Sequence, residues 1–336
     1  MPDFELEKLR IEKAALLTAC GQASHAVVCF LGGILSDLMR RDRVLMVGCF
    51  FLGSGVFLLG GLDTYHANVL LVLWMGVGSG LILSSSNALL VGLYPDKKGT
   101  IMNIHHGTFG VFSLVGPLIM GYLLSHQSGW PLGYDGLGII LIAVGVFFAF
   151  TTTPSVRSQG LGKFFGDLGK VAANAGFGHL MLMGFLAVGT QFALMFLSVT
   201  FLTEAKHLGI FQASVILSLF FAGLFVGRFS CAWIALRVLN TRIILLLLVL
   251  QSISLFVAWR SEGWVSALAL VASGLACSGI FPCLLALTGS LFFEVAGTAL
   301  GLLASMNSLG GVCILWISGM LSERGGIGFG FLAMVL

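Results

Sequence analysis

Apolar stretches of membrane-spanning length recur along the chain with short polar breaks between them, at residues 14–36, 44–62, 69–93, 100–124, 138–153, 178–202, 210–235, 243–259, 264–289 and 298–321. They predict ten transmembrane helices. An eleventh begins near Ile327 and meets the chain end at Leu336, where about ten residues at ~1.5 Å each cover roughly half of a ~30 Å hydrocarbon core. That segment reads as a helix cut short. The longest connection, residues 154–177, carries Gly, Ser and basic residues and divides the chain into one bundle over 1–153 and a second over 178–336.

Composition turns this pattern into a fold class. Of 336 residues 58% are hydrophobic and only 9% charged, so most of the chain cannot face water, and an all-α polytopic membrane protein follows. The 46 glycines against 6 prolines suit helices packed at close range. A net charge of +3, spread over short loops, gives no basic patch for nucleic acid. All seven cysteines (Cys20, Cys29, Cys49, Cys231, Cys277, Cys283 and Cys313) lie in apolar runs with no CxxC pair and no His at ligand spacing. They read as buried thiols, and no metal or cofactor is expected. Residues 1–13 mix four acids with three bases and lack a long apolar run, so they do not form a signal peptide.

Loop charge sets the orientation. Alternate loops carry Arg40, Arg41, Arg43, Lys97, Lys98, Arg157, Lys163, Lys170, Arg237 and Arg242 on one side, against Lys206, Arg260 and Arg324 on the other. Ten bases against three puts the first set, with the 154–177 linker, in the cytoplasm. The segment before Ala14 then lies outside, although it holds Lys8, Arg10 and Lys13; a further span ahead of it would remove that difficulty. An ungapped offset of 198 pairs Gly76 with Gly274, Gly99-Thr100 with Gly297-Thr298, Gly121 with Gly319 and Leu123 with Leu321. This is either a weak internal repeat of two parallel halves or a set of chance glycine matches.

Gly33-Ile-Leu-Ser-Asp37-Leu-Met-Arg40-Arg41-Asp-Arg43 resembles the cytoplasmic loop signature of the major facilitator superfamily, Gly-x-Leu-x-Asp-x-x-Gly-Arg. The resemblance makes 14–36 that family's second helix and leaves its first outside this chain. Asn103, His106, Phe109 and Gly110, followed by Gly116-Pro117, are similar to the fifth helix of its sugar-related branches. Val226-Gly227-Arg228-Phe229, with Trp233 and Arg237, and also Pro282, resemble the eighth and tenth helices of the fucose:proton symporter branch. Two positions depart from the pattern. Arg40 stands where the signature has Gly, and Leu83 stands where the sugar:proton relatives carry an acid. No Asp or Glu lies in mid-span.

Polar side chains are costly in hydrocarbon and turn to a partner, a cavity or a water-filled path. Asn103, His106, Gly110 and Ser113 share one helical face. There Asn103 and His106 either contact a polyol-like solute or bond to a neighbouring helix. Asn87 follows Gly76, Gly80 and Leu83 on a similar face, and Gln191 lies with Gly184, Ala187, Leu194 and Ser198; each is a substrate contact or a packing residue. Asn87 and His106 are expected on one shared cavity. Arg228 shares a face with Ser214, Ser218, Phe221 and Phe225, and either reaches back to the cytoplasmic boundary as a gate contact or serves the cavity. The resemblance implies that Asp37, beside Arg40, Arg41 and Arg43, closes an inner gate by pairing with a base near Lys97 or by capping the helix that begins around Thr298. The alternative for Asp37 is a solvated loop carboxylate.

The expected function is alternating-access transport of a small polar solute, which the resemblance makes a sugar, with or without a coupling proton or sodium ion. The chain would act as a monomer in the lipid bilayer of the plasma (cell inner) membrane. With no buried carboxylate visible, transport would be uncoupled or linked to protons through His106. The alternative is a non-transporting relative serving as a membrane scaffold, or an incomplete gene product. An enzyme is not expected, because no acid cluster, activated nucleophile or metal set stands out.

Overall fold

The computed structural model describes residues 2–59, 61, 64–125, 129–153, 165–166, 168–169, 171 and 173–335, with side chains except at 2–16, 18, 111, 113–125 and 129–130. Its helices are α1 (Pro2–Leu38), α2 (Arg41–Leu58), α3 (Tyr65–Leu93), α4 (Lys98–Ser125), α5 (Gly129–Phe150), α6 (Ala175–Thr200), α7 (Ile210–Ile234), α8 (Asn240–Arg260), α9 (Gly263–Cys277), α10 (Ile280–Leu291), α11 (Ala296–Gly325) and α12 (Ile327–Val335). A π-helical turn, Phe201–Ala205, prolongs α6, and a 3-10 turn, Phe293–Val295, leads into α11. No strand occurs among the described residues, and eight of their helical stretches are long and apolar enough to cross a membrane. Most of the 154–177 linker lies outside the described residues.

One expected span is divided. The sequence predicts a single helix over 264–289, but the backbone breaks at Ser278 and Gly279 into α9 and α10. Pro282 has no N–H to give the Ser278 carbonyl four residues earlier, so that carbonyl is left open for another donor.

The chain forms two compact units, each drawn from separated stretches: Met1–Leu89, Val115–Gly169 and Glu294–Ser305 in the first, Leu90–Leu114, Lys170–Phe293 and Met306–Leu336 in the second. Glycines set the helix contacts within each. In the first unit, a Cβ on Gly53 would stand 3.0 Å from the Gly138 carbonyl oxygen, which seats α2 on α5 at backbone distance. Trp74 closes the other side of α2, stacking on Phe51 at 4.1 Å and donating to Ser54 Oγ at 3.0 Å. The face of α3 that carries Gly76 and Gly80 packs on α1, where a Cβ on either glycine would meet the Gly21 or His25 carbonyl at 2.6 or 2.9 Å.

In the second unit, Gly189 of α6 and Gly310 of α11 meet at similarly short range. Phe331 of α12 stacks on Phe201 at 3.9 Å, and Trp259 Nε1 donates to the Gly328 carbonyl at 3.1 Å, which fixes α12 on α8 and the π turn. An offset of 198 residues for the glycines and helix starts, and 199 for the packing partners, recurs in this packing. Gly274 of α9 lies against Phe220 of α7 as Gly76 of α3 lies against Gly21 of α1, and α4 and α11 start at Lys98 and Ala296, the same distance apart.

Candidate functional site

The start of α11 belongs to the first unit, and there the chain builds a charged contact out of distant residues. Asp37 Oδ1 accepts the Gly297 N–H at 2.8 Å and Oδ2 accepts the Thr298 N–H at 2.6 Å. These are two of the four amides that a helix start leaves without intrahelical acceptors, and the helix dipole favours an anion beside them. Of the partners implied for Asp37, this is the helix start around Thr298. Arg41 stands 3.7 Å from Asp37 and donates to the Ala88 carbonyl at 2.7 Å and the Ser36 carbonyl at 3.3 Å, so it anchors the carboxylate to α3. The approach is close because Gly33, Gly297 and Gly301 have no side chains. A Cβ on Gly297 would lie 2.5 Å from the Gly33 carbonyl oxygen. One turn further on, Ser305 Oγ donates to the Ala26 carbonyl at 2.5 Å.

The other loop arginines take local partners. Arg40 pairs with Asp42 at 2.5 Å, and Arg43 donates to the Ala149 carbonyl near the end of α5 at 3.2 Å. An Arg at 40 is accommodated without a left-handed turn, since its φ is −64° and its ψ 123°. The glycine of the loop signature is therefore dispensable here.

The second unit gathers Asn103, His106 and Arg228. Asn103 is fully buried, and its Nδ2 donates to the Gly99 carbonyl at 2.8 Å and lies 3.4 Å from Cys283 Sγ. The His106 ring packs against Phe281 with centroids 4.8 Å apart. Arg228 is 5% exposed and stays among the helices. Its Nη1 donates to the His106 carbonyl at 2.7 Å, and its Nε meets the Ser278 carbonyl, freed by Pro282, at 3.4 Å. Gln191 is buried on α6, and Asn87 is fully buried on α3 in the first unit. The side chain of Ser113 lies outside the described residues.

The start of α4 is held differently from that of α11. Thr100 Oγ1 donates to the Ala232 carbonyl at 2.9 Å, Ala235 stands at the 198-offset counterpart of Asp37, and the Asn240 side-chain oxygen lies beside Gly99. Lys98 Nζ lies 3.4 Å from the Gly289 carbonyl and 5.1 Å from the Phe293 ring centroid. Burial lowers the Lys98 ammonium from its ordinary value, and the nearby Asp96 carboxylate draws it partly back.

A cavity of about 390 Å³ lies between α4, α6 and α7 of this unit, lined by Phe109, Gly110, Phe192, Met195, Phe196, Phe221 and Leu224. Sequence reasoning missed it, along with the Ser278 carbonyl. The clue to the carbonyl was available in the Gly279 and Pro282 pair.

Comparison with known proteins gives this geometry a family. Residues 8–313 match the Major Facilitator Superfamily. Multidrug resistance protein 3 of Bacillus subtilis is 27% identical over 131 residues, which are 38% of this chain and 25% of that protein. A TsgA homolog of Serratia proteamaculans is 23% identical over 316 residues, 88% of this chain and 76% of that protein. The chain therefore spans only a quarter of the first relative and most of the second. Among solved structures, that of FucP in its outward conformation superposes with a TM-score of 0.83 at 16% identity, covering 96% of this chain and 86% of that one; FucP is the fucose:proton symporter of Escherichia coli. With a family match from residue 8 to residue 313 and an apolar helical fold of the same kind, this integral membrane protein belongs to the Major Facilitator Superfamily of transporters.

Proposed function

We propose that the protein moves a small polar solute across the plasma (cell inner) membrane by alternating access, using half-bundles 1–153 and 178–336 joined by a cytoplasmic linker. The observation that carries this reading is the buried Asp37 carboxylate on the start of α11. A cap supplied across 260 residues of chain is a contact that can open without unfolding either helix, which is what an inner gate requires. In this reading Asp37 and Arg41 hold the outward-facing state, Arg40 and Arg43 brace the loop, and Asn87, Asn103, His106 and Gln191 supply contacts to the solute. Arg228 acts at the inner end of the solute path.

The finer reading, a sugar as solute, rests on the resemblance of the fifth-helix pattern and on the substrate in the solved neighbour's name. It is tested by counterflow of labelled hexoses and pentoses in proteoliposomes. Exchange above that of protein-free liposomes is expected, and accumulation driven by a pH gradient is expected either to be absent or to disappear in His106→Gln. Proton-driven accumulation that survives His106→Gln would overturn the coupling reading, and absence of exchange for every solute tried would overturn transport.

Topology is checked separately. Cysteines introduced at Met39 and Ser158 are expected to resist an impermeant thiol reagent in intact cells and to react after lysis, above the background of the seven native cysteines. Reaction of both in intact cells would invert the orientation.

A further inference from the structure

No described carboxylate neutralises the charge of Arg228. Among the described residues its partners are two backbone carbonyls, those of His106 and Ser278, and no carboxylate lies within ion-pair distance of it. A guanidinium has five N–H donors in a planar fork that matches a carboxylate, and a buried cation without an anion is costly in hydrocarbon. Both carbonyls lie on one side of the problem: they satisfy donors but cancel no charge.

Neither Arg228 nor His106 lines the cavity, but residues one helical turn from each of them do. Phe109 and Gly110 line it three and four residues after His106 on α4, and Leu224 lines it four residues before Arg228 on α7. Each interval is one helical turn, about 5–6 Å along the axis, on the same face. The lining is four phenylalanine rings, a methionine, a leucine and a glycine. It offers no hydroxyl, amide or charged side chain, so a solute dense in hydroxyl groups would leave its own donors unpaired there. Phenylalanine faces and the Met195 thioether suit a flat ring instead.

We propose that the second unit binds a small organic monoanion, with an aromatic or similarly apolar ring seated among Phe109, Phe192, Phe196 and Phe221 and its carboxylate on the Arg228 guanidinium. The anion supplies a counter-charge that no described side chain provides. As a statement about cargo this rests on the transport reading above, whereas the binding itself can be measured without transport.

The probe is radiolabelled 2-naphthoate, bound to the purified full chain in lipid nanodiscs, with 2-naphthamide as the neutral compound of the same shape. Saturable binding of the acid is expected, with the amide about tenfold or more weaker. In Arg228→Gln the acid and amide should bind equally, and Arg228→Lys should retain part of the preference. Phe196 is 64% exposed, so Phe196→Ala leaves the helix packing intact, and it should weaken acid and amide together by about threefold to tenfold while keeping their ratio. Equal affinity of the wild type for acid and amide, or a preference that survives Arg228→Gln, would overturn the proposal. So would a wild-type protein with no saturable naphthoate binding, the outcome if lipid acyl chains fill the cavity. Binding without naphthoate counterflow would keep the anion site and remove such anions as cargo, and sugar counterflow without naphthoate binding would keep the transport reading and remove the anion site.

Discussion

Asp37→Asn is expected to release the start of α11 and to raise amide hydrogen exchange at Gly297 and Thr298 by about thirtyfold or more. Asn keeps one side-chain oxygen, so one of the two bonds now made at 2.8 and 2.6 Å is lost together with the charge. Arg41 is left beside a neutral group, with only the Ala88 and Ser36 carbonyls as acceptors. Loss of a buried charge-assisted bond and exposure of an unpaired cation together cost about 2–4 kcal/mol, which is ~30-fold to ~1,000-fold in the population of the closed contact. Exchange is read by mass spectrometry on peptides covering 293–305, and solute counterflow should fall in parallel. Unchanged protection of those two amides would show that Asp37 is ornamental to the helix start.

Gly33→Val should open the same contact by a different force. A Cβ at Gly33 would stand 3.0 Å from the Gly297 carbonyl carbon and 3.1 Å from Gly301 Cα, both backbone atoms that cannot swing aside. The two γ-carbons of valine then drive α1 and α11 apart at a cost of about 3 kcal/mol or more. The peptide exchange seen in Asp37→Asn should appear here with the carboxylate intact. Because both substitutions break one contact, the double variant should be little worse than either alone. Full additivity in the exchange measurement would mean that Gly33 and Asp37 act at separate places.

Hydropathy placed the apolar runs, apart from the break at Ser278 and Gly279, since burying about twenty apolar residues leaves an unmistakable run, and the loop signature offered the start of α11 as one of two partners for Asp37. Other features were hidden for physical reasons. Arg228 bonds to carbonyls 122 and 50 residues away, and a backbone carbonyl carries no residue identity for a sequence to display. The four cavity phenylalanines are spread over three helices and look like ordinary lipid-facing residues until the helices are brought together. Asn103 shows the limit of face arguments. Its position on a polar stripe was legible, but its bond to Gly99 and its approach to Cys283 depend on which helix lies opposite. The division into 1–153 and 178–336 follows connection length, while the compact units follow contacts, so α4 gives residues 98–114 to one unit and 115–125 to the other, and α11 is split between 305 and 306.

That split has a consequence for how the protein is made. The first unit includes residues 294–305, so α1, although it can pack on α3 earlier, cannot meet α11 until residues 297–305 have been made. At about 5–20 residues per second, the 260 residues separating Asp37 from Gly297 take roughly 13–50 s to synthesise. Throughout that interval the groove floored by Cys29 and Gly33, with a carboxylate at its end, waits in the membrane without α11. The nascent chain must therefore pass through a long-lived intermediate whose open groove lipid or an insertion chaperone has to cover, and slowing translation between residues 89 and 294 should prolong its exposure to membrane proteases.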